Sequence, residues 1–198
     1  MNKADSAQTT NMSIGNILLE ETKEPTSYLR AALPSLAKAA RKRRLGQKPS
    51  PEAIENYTME KVQAVRFNDI STLQRLLDEG ESLDACNRNG ETLLHLACRR
   101  GNVETVKFLV HEAQCDPDAM DDMGRSVLHD ICWRPSPDID MMDTLLQLAS
   151  PDLLLAEDVR GHTCFDYCRK EHWGKWTAFL LQSSSSLARR ANLISKFP

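Results

Sequence analysis

In the segment HTCFDYCRKEH, Cys164, Cys168 and His172 stand four residues apart, with His162 close by. On a helix that spacing brings all three side chains to one face. Thiolates and imidazoles are the ligands of tetrahedral zinc, so a structural zinc is the chemistry this segment offers. Two further histidines, His95 and His129, lie 34 residues apart. The acidic run DPDAMDD at 116–122 lacks the register and closing Glu of a calcium loop and reads as a solvated hairpin face. The strongest charge cluster, ARKRR, ends in Arg41, Lys42, Arg43 and Arg44. Such runs act as nuclear import signals or phosphate-binding patches; a solvated helix end, its cations set against the helix dipole, gives the same pattern. No nucleophile elbow, phosphate-binding loop, metalloprotease pair or dinucleotide fingerprint occurs. Catalysis therefore has no sequence support, and no cofactor is implied.

The elements that must position these residues recur. Gly90 and Gly124, Leu94 and Leu128, and His95 and His129 are each 34 residues apart. With the glycines as a ruler, residues 58–186 divide into four units, 58–89, 90–123, 124–160 and 161–186. The third is longer by the insertion-like RPSPD at 134–138. In unit two, Thr92 sits at a helix N-cap, Leu94, Ala97 and Cys98 form an apolar face, and Gly101 ends the helix. A second helix follows, with Val103, Val106, Leu109 and Val110 at helical spacing. Residues 187–198 form a C-terminal tail or capping helix.

Residues 1–57 read as a basic N-terminal tail. Its first 25 residues are polar, with only Ile17, Leu18 and Leu19 able to dock, so disorder is expected there. A short helix is expected over 27–44, interrupted by Pro34, with Leu29, Ala32, Leu33, Leu36 and Ala39 at helical spacings. GQKPSPE at 46–52 reads as a linker. On this view the repeats stay folded without residues 1–50.

The motif ETLLHLACRRGN, with NGE before it and VKFLVHEA after it, resembles the ankyrin-repeat family, and RSVLHDIC repeats it. The resemblance spans 58–186 and implies an all-α solenoid of about four helix-turn-helix units with hairpin loops. Leu93, Val127 and Cys164 replace the signature Pro, Asp166 stands where His is expected, and unit one lacks the signature. In this register His95 and His129 become structural hydrogen-bonding residues, and Cys164 and Cys168 small buried fillers, which competes with the zinc reading.

The resemblance also implies a non-catalytic adaptor that binds a segment of a partner protein along a concave face, regulatory in signalling or transcription. By register the partner-binding residues are Arg88, Asn89, Glu91, Arg99 and Arg100, with Cys86 beside them. They continue as Asp122, Met123, Arg125, Trp133 and Arg134, with Met120, and end as Arg160, His162 and Lys170, with Glu157, Val159 and Glu171. Seven Lys/Arg against four Asp/Glu on this face, in a region of 16 against 24, point to an acidic partner segment. The alternative is a nucleic-acid-associated protein whose basic tail contacts phosphate.

The chain has 198 residues, 41% hydrophobic and 6% aromatic, enough for one largely aliphatic core. No run reaches the length of a membrane span, and the N-terminus lacks the apolar stretch of a secretory signal. A monomeric protein of the cytoplasm, the nucleus or both is expected, its six cysteines reduced.

Overall fold

The computed structural model describes residues 24–40 and 48–194. The expectations for residues 1–23 and for the basic run Arg41, Lys42, Arg43 and Arg44 lie outside them. In chain order the helices are α1 (Pro25–Ala32), α2 (Pro34–Ala40), the single turn α3 (Pro51–Glu55), α4 (Met59–Arg66), α5 (Ile70–Asp78), α6 (Leu93–Arg100) and α7 (Val103–His111). There follow α8 (Val127–Cys132), α9 (Ile139–Leu148), the 3-10 turns η1 (Pro151–Leu155), η2 (Cys164–Tyr167) and η3 (Lys170–His172), and α10 (Trp173–Ile194). No strand occurs among the described residues; single antiparallel bridges, Cys86 to Thr92 and Met120 to Ser126, mark the hairpins.

Each unit opens on the same device. Thr58, Thr92, Ser126 and Thr163 are extended residues at helix N-caps; the Thr58 and Thr92 hydroxyls each accept an otherwise orphaned N–H, while those of Ser126 and Thr163 meet the His129 ring and the Asp166 carboxylate. Unit one, without the signature, thus shares the cap: the Thr58 hydroxyl accepts from the Lys61 N–H at 3.5 Å. Three residues after their caps stand Lys61, His95, His129 and Asp166. Lys61 is 1% exposed, and its ammonium donates to Glu81 Oε2 and to the Ser82 carbonyl, both at 2.9 Å.

The hairpins repeat a second device. Asn87 Oδ1 accepts from the N–H groups of Asn89 and Glu91, Asp121 Oδ1 from those of Met123 and Arg125, and Asp158 Oδ1 from those of Arg160 and His162. Each side chain folds back on its own turn, the local bonding for which Asn and Asp are selected in loops. Gly90 (φ +79°) then completes the first hairpin, and a Cβ there would meet the Asp121 and Asp122 backbone at 3.3 Å. That approach lets the Asp122 N–H donate to the Asn89 carbonyl at 2.8 Å; between the next two hairpins the Val159 N–H donates to the Met123 carbonyl at 2.9 Å. The hairpins are zipped edge to edge.

Unit four departs from the plan. Its first helix is reduced to the turn η2, and its second, α10, runs unbroken through Ser183, Ser184, Ser185 and Ser186 to Ile194. The unit therefore does not end at 186: Leu180, Leu187 and Ala191, all buried, continue the apolar stripe and hold the serine run in the helix. Ser184 is accommodated by donating to the Leu181 carbonyl at 2.8 Å.

The space left by the missing helix is filled from the other end of the chain. Residues 25–40 are not a tail. Pro34 opens a second helix instead of kinking one, because a proline at the first helical position needs no N–H partner. Tyr28, Leu29, Leu33, Leu36 and Ala40 are buried in the core shared with η1, η2 and α10. Thr26 and Thr163 share a 2.7 Å hydroxyl hydrogen bond across 137 residues of sequence, and Arg30 pairs with Glu157 at 2.6 Å. The Tyr28 hydroxyl bonds Ser184 of α10, while burial pushes its pKa up.

Candidate functional site

The histidines are committed to the stack. His95 Nδ1 accepts from the Thr92 N–H at 3.2 Å, and its Nε2 lies 3.1 Å from the Arg125 carbonyl. A carbonyl only accepts, so Nε2 carries the proton and the ring is the neutral Nε2–H tautomer. His129 repeats this, accepting from the Ser126 N–H at 3.1 Å and donating to the His162 carbonyl at 3.3 Å. Each imidazole ties its own cap to the hairpin of the next unit, leaving no nitrogen for a metal or a proton relay.

Burial holds the His129 pKa below its ordinary 6.5. The unfolded chain therefore takes up the proton first, and stability falls as pH drops below that value. Thermal melts between about pH 8 and about pH 5.5 should show Tm constant in the upper half of the range and declining in the lower. An unchanged Tm across it would mean that His129 titrates as a free imidazole.

Cys164, Cys168 and His172 do not share a helix face. Residues 164–172 form η2 and η3, separated by the extended residues Cys168 and Arg169, so the regular four-residue spacing is lost. The Cys168 thiol donates to the Phe165 carbonyl at 3.0 Å, while His172 lies 3.6 Å from Glu171. Among the described residues no group of three or more His, Cys, Asp or Glu could hold a metal ion. Burial pushes the Cys168 thiol to about 12 and holds Cys132 and Cys98 well above the usual thiol range, the reverse of what a nucleophilic or ligating thiol needs.

What remains open to solvent is the surface of hairpin tips and first helices. Arg88, Asn89 and Asp122 are exposed at the tips, and Arg100, Arg160, His162 and Lys170 lie exposed further along. Lys170 rests over the Trp173 ring at 5.5 Å. Met123 is half-buried. Trp133 is 63% exposed and leans on Tyr167, ring centres 5.7 Å apart and tilted by 43°. His162 meets Tyr167 edge-on at 6.2 Å. The Tyr167 hydroxyl is fixed by a 2.6 Å bond to Asp158, and burial with that carboxylate lifts its pKa to about 12. The result is a rigid ledge of aromatic faces.

The cations of this surface fall into two groups. Arg99 donates to Asp130 and to Glu91, each at 2.7 Å, and Arg125 reaches Asp121 at 2.5 Å and Glu91 at 3.5 Å. Burial raises the Glu91 carboxyl, but hydrogen bonds from Arg99 and Asn87 and the charges of Arg99 and Arg125 hold it below its usual range. Arg134 is half-buried, not exposed: its guanidinium packs over Gly101 and pairs with Asp138. Arg88, Arg100 and Arg160 make no ion pair with a described residue. Against the seven Lys/Arg and four Asp/Glu counted along the sequence, the fold sets four more carboxylates, Asp121, Asp130, Asp138 and Asp158. The face is therefore nearly neutral, with positive charge that no described carboxylate pairs at Arg88, Arg100, Arg160 and Lys170.

Sequence reasoning missed Tyr167 and these four carboxylates. A signal existed for two of them, since Asn87, Asp121 and Asp158 keep the register of the repeat. None existed for Tyr167.

A family model described as ankyrin repeats, in three copies, matches residues 62–164. The chain belongs to the ankyrin-repeat family. It is similar over 63 residues, at 38% identity, to a protein described as putative glutaminase 2 of Caenorhabditis elegans, which covers 32% of this chain and 10% of that protein. Over 50 residues it is 36% identical to the eye-specific diacylglycerol kinase of Drosophila melanogaster, covering 25% of this chain and 3% of that one. The chain thus spans a small part of the relatives it matches. Ankyrin repeats generally mediate protein–protein interaction and are typically non-catalytic. No helix among the described residues is long and apolar enough to cross a membrane.

Proposed function

We propose that this ankyrin stack is a monomeric adaptor that binds an extended segment of a partner protein, its apolar side chain on the Trp133–Tyr167 ledge and its carboxylates on Arg88, Arg100 and Arg160. The observation that carries this reading is Trp133: an indole 63% exposed yet braced from behind by Tyr167. A large aromatic in solvent is a surface that binding would stabilise, and Trp and Arg are the residues most enriched at binding hot spots. The near-neutral face narrows the complementarity from an acidic segment in general to carboxylates spaced to meet three unpaired guanidiniums. A regulatory role in signalling or transcription, in the cytoplasm or the nucleus, suits such a module.

Affinity capture with variants of the full chain tests it. Trp133→Ala combined with Arg100→Glu should weaken the partner by about 2 kcal/mol or more, roughly thirtyfold in Kd. Lys107→Glu, on α7 and paired with Glu104 at 3.5 Å, should leave it unchanged. Circular dichroism should stay constant in both. The opposite pattern would move the site to the second-helix side.

A further inference from the structure

Three Ser-Pro dipeptides occur in the chain, at Ser50, Ser136 and Ser150, and two share their flanks. KPSPE at 48–52 and RPSPD at 134–138 have the same order of cation, proline, serine, proline and carboxylate. Both serines are exposed. Ser136 lies in the α8–α9 connection, the segment that makes unit three longer than its neighbours, and its hydroxyl makes no hydrogen bond to a described residue. Pro135 and Pro137 each fix their own φ and drive the preceding residue, Arg134 or Ser136, toward extended backbone. The connection nevertheless bends at 134–136, and it offers an exposed serine hydroxyl at the corner between α8 and α9. Ser150 lacks these properties: it is half-buried, its N–H is held by Asp118 at 2.7 Å, and Pro151 is buried.

We propose that Ser136, and Ser50 with it, are phosphoryl-acceptor sites for a kinase that selects proline after the acceptor. The Ser136 Oγ attacks the γ-phosphorus of a nucleoside triphosphate, and the bond from that phosphorus to the β-γ bridging oxygen breaks as the new one forms. The hydroxyl proton passes to the kinase's base, and nucleoside diphosphate leaves. The product adds a charge of about −1.5 to −2 at neutral pH. At Ser136 that charge arises two residues from Arg134, whose present partner Asp138 also caps α9 by accepting from the Met141 N–H at 3.0 Å. It also arises three residues from Trp133, so phosphorylation would oppose carboxylates approaching the ledge. That consequence rests on the reading of the face given above; the acceptor site itself does not.

The test incubates the full folded chain with a proline-directed serine/threonine kinase, Mg²⁺ and ATP, and maps phosphate by peptide mass spectrometry. Phosphate is expected on Ser136 and Ser50 and not on Ser150, with Ser136→Ala and Ser50→Ala each removing one phosphate. A synthetic peptide spanning residues 131–140 serves as the unfolded reference. Phosphate on that peptide but not on Ser136 of the chain would overturn the proposal by showing that the loop is held shut. An unmodified peptide would overturn it by showing that the flanks are not recognised, and equal labelling of Ser150 by showing that exposure does not select. Because the mapping needs no partner, a wrong reading of the face would leave its result unchanged.

Discussion

Removing residues 1–40 is expected to lower the melting temperature sharply and to leave the last repeat partly unfolded. Tyr28, Leu29, Leu33 and Leu36 are each at most 6% exposed, and they cover η1, η2 and α10. Burying one such side chain contributes about 1.5–3 kcal/mol, so four of them approach the whole net stability of a typical domain, about 5–15 kcal/mol. The loss would concentrate in unit four, whose own first helix is only the turn η2. Phe165 and Trp176, packed together at 5.9 Å, would lose part of their cover. Single changes make the sharper test: Leu29→Ala and Leu36→Ala, both at 0% exposure, should each cost about 2–5 kcal/mol in denaturant unfolding. A truncated chain that melts at the parent temperature would reduce α1 and α2 to passengers and restore the dispensable tail.

The second large effect lies at the centre of the stack. Leu94 and Leu128 occupy equivalent places on α6 and α8 and are both 0% exposed. Leu128→Ala should cost about 2–5 kcal/mol, because the neighbouring side chains relax only partly into the cavity. Its damage should also spread. A repeat couples to its neighbours alone, so hydrogen exchange should speed up in units two and four together, and less in unit one. His129 sits on the same short helix and bonds the unit-four hairpin, which gives the loss a direct route across. Exchange confined to unit three would show that the units fold independently.

Local signals were legible wherever the physics is local. The caps Thr92 and Ser126, the turn glycines Gly90 and Gly124, and the apolar faces of α6 to α9 each follow from a few adjacent residues. Their recurrence announced the family. Register also carried more than was taken from it: Thr58 and Asp158 keep the period, but their neighbours differ from the signature, so the hairpin carboxylates went unread.

The sequence by itself determined that this is a capped, repeating all-α stack, because helix periodicity, capping and turn chemistry act over a few residues. Only the tertiary structure decided that the N-terminal helices close the C-terminal end, since the Thr26–Thr163 contact leaves no periodic mark in either segment. It also decided which cations are free. Arg99 and Asp130 are separated by 31 positions in the chain and meet only because α6 and α8 stack, and a charge counted along the sequence cannot show that it is already neutralised in space.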